Sequence, residues 1–458
     1  QILVTTNVLY TIYFSNNLFR GMSKIPVVRV AETKNSSPHN ASCFEKFSLL
    51  LLFAVIADPE DSVTAANSCL HKHFAYDFGK PWMGDGLVLA SGPVWRRHRK
   101  LLNPAFSLQV LHGFLGVFNT QARRQVSQFD LEIGRGKFDH LASLKHIALE
   151  TVLTAFGITG DEDKDFNKLY MAAVDQILNI ITLRFSNFWL QSELIYSFTN
   201  LKKKQDEVVK VLNAMSTAVI QRKKELMKSI PRLEWEEQRQ RTALMDLLLE
   251  LSEENTFTDK EIREEVDTAI VASYDTTSCL LAYIMMMLGT YPAVQEKMLQ
   301  EVFEGTFRDV TKDDLPKMIY TDAVIKETLR LYPTGPVGLR YVDKDVQLKN
   351  YTMRAGSQCA LMICGIHYHD SWGPDVKEFR PERWLDPSNL PNQNMFAGFS
   401  IGKRACMGRT FATLSMKTTL SHVLRNFKIT ADISELKLKL DFLLKPVSGS
   451  LVSLERRN

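Results

Sequence analysis

Cysteine is scarce: six in 458 residues, at Cys43, Cys69, Cys279, Cys359, Cys364 and Cys406, with no CxxC pair and no CxxCH. That usage excludes a disulfide framework, a zinc site on paired thiolates and a covalently attached haem, and it implies a reducing compartment. No Gly/Ser/Pro linker, repeat or low-complexity run divides the chain. The expected organisation is therefore one large domain over residues 51–458, preceded by a separate segment, 1–50. A strand-linked GxGxxG is also missing, so no nicotinamide or flavin site is expected in the chain itself. Neither apolar run near the start reaches the ~20 uninterrupted residues of a membrane span. QILVTTNVLYTIYFSNNLF, residues 1–19, is interrupted by Thr and Asn and could be the remnant of an anchor, whereas FSLLLLFAVIA, 47–57, reads as a buried strand or helix. The net charge of +4 is small for this length and gives no reason to expect a nucleic-acid partner.

What is present is mostly helical. TDKEIREEVDTAIVASYDTTSCLLAYIMMML, Thr258 to Leu288, opens on a Thr258/Glu261 capping box with acids in its first turns, and Gly289 and Pro292 mark its end. About 30 residues at 1.5 Å each give roughly 45 Å, enough to cross a domain through its centre. Its second half is apolar nearly all round, yet Asp275-Thr276-Thr277-Ser278 sits in the middle. Such a patch is either satisfied by neighbouring helices or is a loosened turn carrying a carboxyl and a hydroxyl as a proton relay.

Glu327 and Arg330 share one face of a second helix, 321–332, and EFRPERW supplies Arg383 as a further cation for a buried Glu-Arg-Arg cluster. In FSIGKRACMGRTFA, 399–412, Cys406 lies where a glycine-bearing loop becomes a helix running from Met407 to about Arg425, so N–H groups there can stabilise a thiolate. Arg404 offers a guanidinium fork for a carboxylate. Such a thiolate serves as a nucleophile, a zinc ligand or an axial haem ligand; no His/Asn partner is identifiable for the first, and companion ligands are missing for the second.

At these residues the sequence resembles the cytochrome P-450 family of haem-thiolate monooxygenases. The cysteine loop carries Phe399, Gly402, Arg404, Cys406, Gly408 and Ala412 at the family's fixed positions; E-x-x-R falls on Glu327 and Arg330, its joining arginine on Arg383, and W-x-x-x-R on Trp95 and Arg99. The A-G-x-D-T-T pattern falls on Ala272 to Thr277, with Ser273 in place of the glycine. EVD in the long helix, DPED (58–61) and WRRHRKLLNPAF (95–106) resemble the family's fourth microsomal clan, many members of which carry a haem-esterified glutamate where this chain has Ala272.

The resemblance implies a mainly α fold with a smaller β-rich region and a long central helix over the haem. It implies haem b on Cys406, propionate contacts from Trp95, Arg99 and Arg340, and Asp275 and Thr276 as the proton relay. NADPH electrons through a partner reductase, with cytochrome b5 as a possible second donor, a lipophilic substrate and the cytosolic face of the endoplasmic reticulum membrane are implied as well. Lys and Arg at 96–100, with Lys403, Arg404 and Arg409, offer a basic docking surface, and the aromatic stretch 185–198 could roof the substrate pocket. A reductase-independent haem-thiolate isomerase or dehydratase, and a non-catalytic haem binder, remain as alternatives.

Overall fold

The computed structural model describes residues 53–457, apart from 157–163, 230–243, 304–307, 387, 389, 391, 393 and 394. The anchor-like stretch and the rest of 1–50 lie outside the described residues. Eleven main helices follow in order: α1 (Pro59–Ser68), α2 (Gly92–Leu102), α3 (Leu115–Asp130), α4 (Leu141–Ala155), α5 (Lys164–Ser186), α6 (Asn200–Ser229), α7 (Leu244–Glu253), α8 (Asp259–Thr290), α9 (Pro292–Phe303), α10 (Ile319–Leu331) and α11 (Arg409–Asn426).

The 32-residue α8 is the axis of the fold. Its capping box forms as the sequence suggests, Glu261 N–H donating to Thr258 Oγ1 at 3.2 Å and Thr258 N–H to Glu261 Oε2 at 2.9 Å. Its far end departs from expectation. Gly289 continues the helix, because a Cβ there would fall 2.6 Å from the Ala431 backbone nitrogen, so the glycine serves close packing and not termination. Two apolar cores meet on this helix. Ile262, Val266, Ile270 and Tyr274 join the first, built with α3 to α7, and Leu280 to Ala282 with Ile284 to Leu288 join the second, built with α9 to α11. Burying one such aliphatic side chain is worth about 1.5–3 kcal/mol, which holds α8 in place despite its polar middle.

Strands gather at the edges of the helical body: β1 (Phe53–Ile56), β2 (His71–Lys72), β3 (Phe138–Asp139), β4 (Val337–Tyr341), β5 (Val346–Gln347), β6 (Thr352–Met353), β7 (Gln358–Met362), β8 (Phe427–Thr430), β9 (Leu438–Leu440), β10 (Leu444–Pro446) and β11 (Leu451–Arg456). The apolar run that begins at residue 47 thus ends in a strand. The largest sheet has the order β1-β7-β4-β2, with β1 parallel to β7 and the other pairs antiparallel. Its register sets Lys72 directly opposite Arg340.

Candidate cofactor site

The cysteine loop is closed by its own backbone. Ser400 and Gly402 take positive φ values of 61° and 71°, turning the chain so that Cys406 N–H donates to the Phe399 carbonyl at 2.8 Å. A Cβ on Gly402 would lie 2.9 Å from Ala66 Cβ of α1, so only glycine allows this approach. Phe399 packs on the second core with the Arg409 guanidinium 5.6 Å from its ring. Of the five described cysteines, four are buried and Cys406 is exposed. Its surroundings are nonetheless crowded with protein atoms. That enclosure pushes the thiol pKa up, opposed by the N–H groups of Gly408 and Arg409 and by the charges of Arg99 and Arg409. A bound cation would tip this balance toward thiolate, since metal coordination deprotonates a thiol outright.

One stripe of α8 is also reached by solvent: Ala269, Ala272, Ser273 and Thr276 stand at helical spacing on a helix otherwise buried through its middle. Thr276 Oγ1 donates to the Ala272 carbonyl at 2.7 Å. Asp275 turns elsewhere. Its buried carboxylate pairs with Lys145 at 3.1 Å and Lys445 at 3.0 Å, and both ammonium groups also reach the half-exposed Asp175, at 3.1 and 3.3 Å. Burial works against both lysine charges, but Asp275 and Asp175 more than offset it and raise both pKa values. The neighbouring side chains of Asp275 and Thr276 therefore bond to different partners and not to each other.

Trp95, Arg99, Arg340 and Arg404 do come together, joined by Lys72. The Arg404 guanidinium stacks 4.9 Å from the Trp95 ring and spends its fork on backbone, donating to the carbonyls of Leu70 and Ala90 at 2.7 Å each and of Leu87 at 3.3 Å. Those carbonyls, and not a carboxylate, answer the geometry expected of Arg404. Arg99 Nη1 donates to the Ala405 carbonyl at 2.9 Å, placing its charge beside Cys406. Among the described residues, the Arg340 side chain, 3% exposed, bonds only to the Leu339 carbonyl and leaves its buried Nε without a partner. None of the four cations forms an ion pair with a described carboxylate. Burial, reinforced by Arg340, pushes Arg404 down to about 9, and burial with Arg340 and Arg404 holds Lys72 well below the ordinary lysine value.

The Glu327 cluster is the reverse case. Arg330, itself fully buried, grips the carboxylate at both oxygens, at 2.9 and 2.8 Å; Arg383 Nε donates to it at 2.9 Å, as do Trp384 Nε1 at 2.9 Å and the Arg380 N–H at 3.1 Å. Arg383 also meets Asp375 at 3.3 Å.

Residues 63–452 match the family described as Cytochrome P450. The chain belongs to the cytochrome P450 family. It is 32% identical over 438 residues to Cytochrome P450 4c21 of Blattella germanica, covering 90% of this chain and 87% of that one. It is 31% identical over 420 residues to Cytochrome P450 4V2 of Mus musculus, covering 88% and 79%, and 30% identical over 429 residues to Cytochrome P450 4c3 of Drosophila melanogaster, covering 88% and 80%. As a cytochrome P450 of the family-4 type it is a haem-thiolate monooxygenase that acts on lipophilic molecules with NADPH-derived electrons delivered by a reductase. The residues present fit that cofactor: haem bears two carboxylates, and the cluster around Arg340 holds cations and an orphaned buried N–H with no carboxylate of its own.

Several contributors escaped sequence reasoning. Lys72 carries no motif and is found only through strand register. Lys145 and Lys445 reach Asp275 from α4 and β10. His98 and Glu265, both buried, pair at 2.6 Å between α2 and α8; each lies inside a quoted motif, RRHRK and EVD, but nothing local links them. Trp384 stood next to Arg383 in EFRPERW, and its indole N–H could have been suspected. The aromatic stretch 185–198 is split: Tyr196 is fully buried and Phe185 packs on the first core, whereas Phe188, Trp189, Leu194 and Phe198 are exposed, Phe198 by 83%.

Proposed function

We propose that Cys406 is the axial ligand of the haem in this monooxygenase, that Trp95, Arg99, Arg340 and Lys72 hold its carboxylates, and that Arg404 fixes the loop on which they converge. The observation that carries this reading is the group of cations, Arg340 buried and Arg99 and Lys72 half-buried, without a described counter-ion beside the exposed thiol. Bound haem supplies iron-centred activation of dioxygen, with electron density from the thiolate favouring O–O cleavage. The chain's own residues do the rest. Gly408 and Arg409 N–H groups hold the sulfur, and Thr276 presents hydroxyl lone pairs on the open stripe of α8. Asp275 is the inner end of an ion chain whose outer end, Asp175, is in water, a route by which protons enter through Lys145 and Lys445. Glu327, Arg330 and Arg383 are structural, holding α10 to the segment that leads into the cysteine loop.

Reducing the purified protein under carbon monoxide tests the ligand. The wild type should show the strongly red-shifted Soret band of thiolate ligation, and Cys406→Ala should lose it. A band retained by that variant sinks the assignment.

Residues 51–458 form the catalytic body in this reading, and it works at a membrane surface, the cytosolic face of the endoplasmic reticulum, where cytochrome b5 is a further electron donor. The exposed patch of Phe188, Trp189, Leu194, Ile195 and Phe198 supports that placement, since aromatic and aliphatic side chains of this kind settle at a lipid interface. The α8 helix is long and apolar enough to span a bilayer, but 83% of its apolar window is buried in protein, so it is the core helix and not an anchor. Trp189→Asp with Phe198→Asp should weaken flotation on phosphatidylcholine vesicles; unchanged flotation would move the contact elsewhere.

A further inference from the structure

We infer that Ser273, standing where the family pattern has glycine, is the hydrogen-bond donor that the open stripe of α8 offers to a small ligand of the haem; the inference rests on the haem reading above. The argument starts from what a hydroxyl can do. It has one hydrogen and two lone pairs, so once the hydrogen is given to a carbonyl the group can only accept. Inside helices, Ser and Thr commonly spend that hydrogen on the carbonyl four residues back. The buried hydroxyls of Thr268 and Thr328 do not, but several helical hydroxyls here follow the habit: Thr151 donates to Ile147 at 2.7 Å, Thr290 to Met286 at 2.8 Å and Thr418 to Leu414 at 2.9 Å. Thr276 does the same toward Ala272 at 2.7 Å, so the hydroxyl that resembles the family's proton-handling alcohol has its own hydrogen engaged.

Ser273 departs from the habit. Its hydroxyl makes no hydrogen bond to any described residue, and it is partly open to solvent. It lies three residues before Thr276, on the same stripe and flanked by the small side chains of Ala269 and Ala272. No bulky neighbour on that stripe covers it. Asp275, the nearest carboxylate in sequence, is occupied by two lysines. The stripe therefore presents one alcohol that accepts, Thr276, and one that is free to donate, Ser273. A diatomic ligand whose outer oxygen gathers negative charge on reduction calls for a donor, and Ser273 is placed to be that donor without breaking any existing bond.

The test uses haem-loaded wild type, Ser273→Ala, Ser273→Gly and Thr276→Ala, each reduced under carbon monoxide. The red-shifted Soret band reports thiolate ligation in each protein, so failure of the haem reading shows there and nowhere else. The infrared C–O stretch then reports the donor: a hydrogen bond to the ligand oxygen lowers it, so both Ser273 variants should move it to higher wavenumber by the same amount. In air without substrate, the reduced protein loses one electron to dioxygen, which leaves as superoxide. That reoxidation should quicken roughly two- to tenfold in Ser273→Ala, the effect of one hydrogen bond. An unchanged stretch in Ser273→Ala, a shift confined to Ser273→Gly, which would report volume, or a shift confined to Thr276→Ala would each overturn the inference. Alanine is the better helix former, so Ser273→Ala is expected to fold.

Discussion

Two groups of buried arginines lie in this molecule, and they differ in where their negative charge comes from. Around Glu327 the chain supplies it: Arg330 and Arg383 share one carboxylate, and their remaining N–H groups meet Asp375 and the carbonyls of His367, Val376 and Glu378. Around Arg340 no described carboxylate comes within ion-pair distance. Lys72 and Arg340 face each other across an antiparallel pair, an arrangement of like charges that costs stability unless something answers it. The same residue type at the same depth thus means different things. A cation whose hydrogen bonds close within the protein is holding the fold, whereas a cation left open, beside an exposed cysteine, is prepared for an anion that comes from outside.

The contrast breaks most visibly at Glu327. Glu327→Ala strands two buried guanidinium groups, and removing one partner of such a cluster costs roughly 3–5 kcal/mol. Against a total stability of about 5–15 kcal/mol, that loss should lower the melting temperature sharply and prevent stable haem incorporation. A haem-replete variant that melts normally would show that Asp375 and the backbone carbonyls alone neutralise the pair. Glu327→Gln keeps the acceptor oxygen and should fall between.

Local signals were legible in the sequence, and long-range ones were not. The cysteine loop, the Glu327/Arg330 pair and the capping box of α8 depend on residues within a turn or two of each other, so their spacing carried them. Helix ends shifted by one or two residues, and Gly289 was misread as a stop because the reason for it, Ala431, is brought there by β8. The partners of Asp275 were illegible for the same reason: Lys145 and Lys445 come from a helix and a strand far apart in the chain. Phe188, Trp189 and Phe198 showed that an aromatic run does not announce which way it faces. Lys72 is the sharpest case, since only the pairing of β2 with β4 makes it a member of the site.

Arg340→Leu gives the smaller effect and tests the open group directly. Hydrogen bonds to charged groups contribute about 1.5–3 kcal/mol, so haem affinity, measured by transfer to an acceptor globin, should fall roughly ten- to a hundredfold. The cofactor-free chain should behave in the opposite sense from Glu327→Ala, losing no stability, because an unanswered charge has been removed. Its pH dependence supplies the control. Burial first, then Arg340 and Arg404, hold Lys72 well below its ordinary value of 10.5, so between that lowered value and 10.5 the unfolded chain carries more protons than the folded one. Stability of the cofactor-free wild type therefore rises with pH across that window. With Arg340 gone the Lys72 pKa moves back up, the window narrows and the rise should shrink. If the rise is unchanged while haem affinity drops, Arg340 touches the cofactor without sharing its field with Lys72; if neither changes, the open cluster is not the place where haem carboxylates bind.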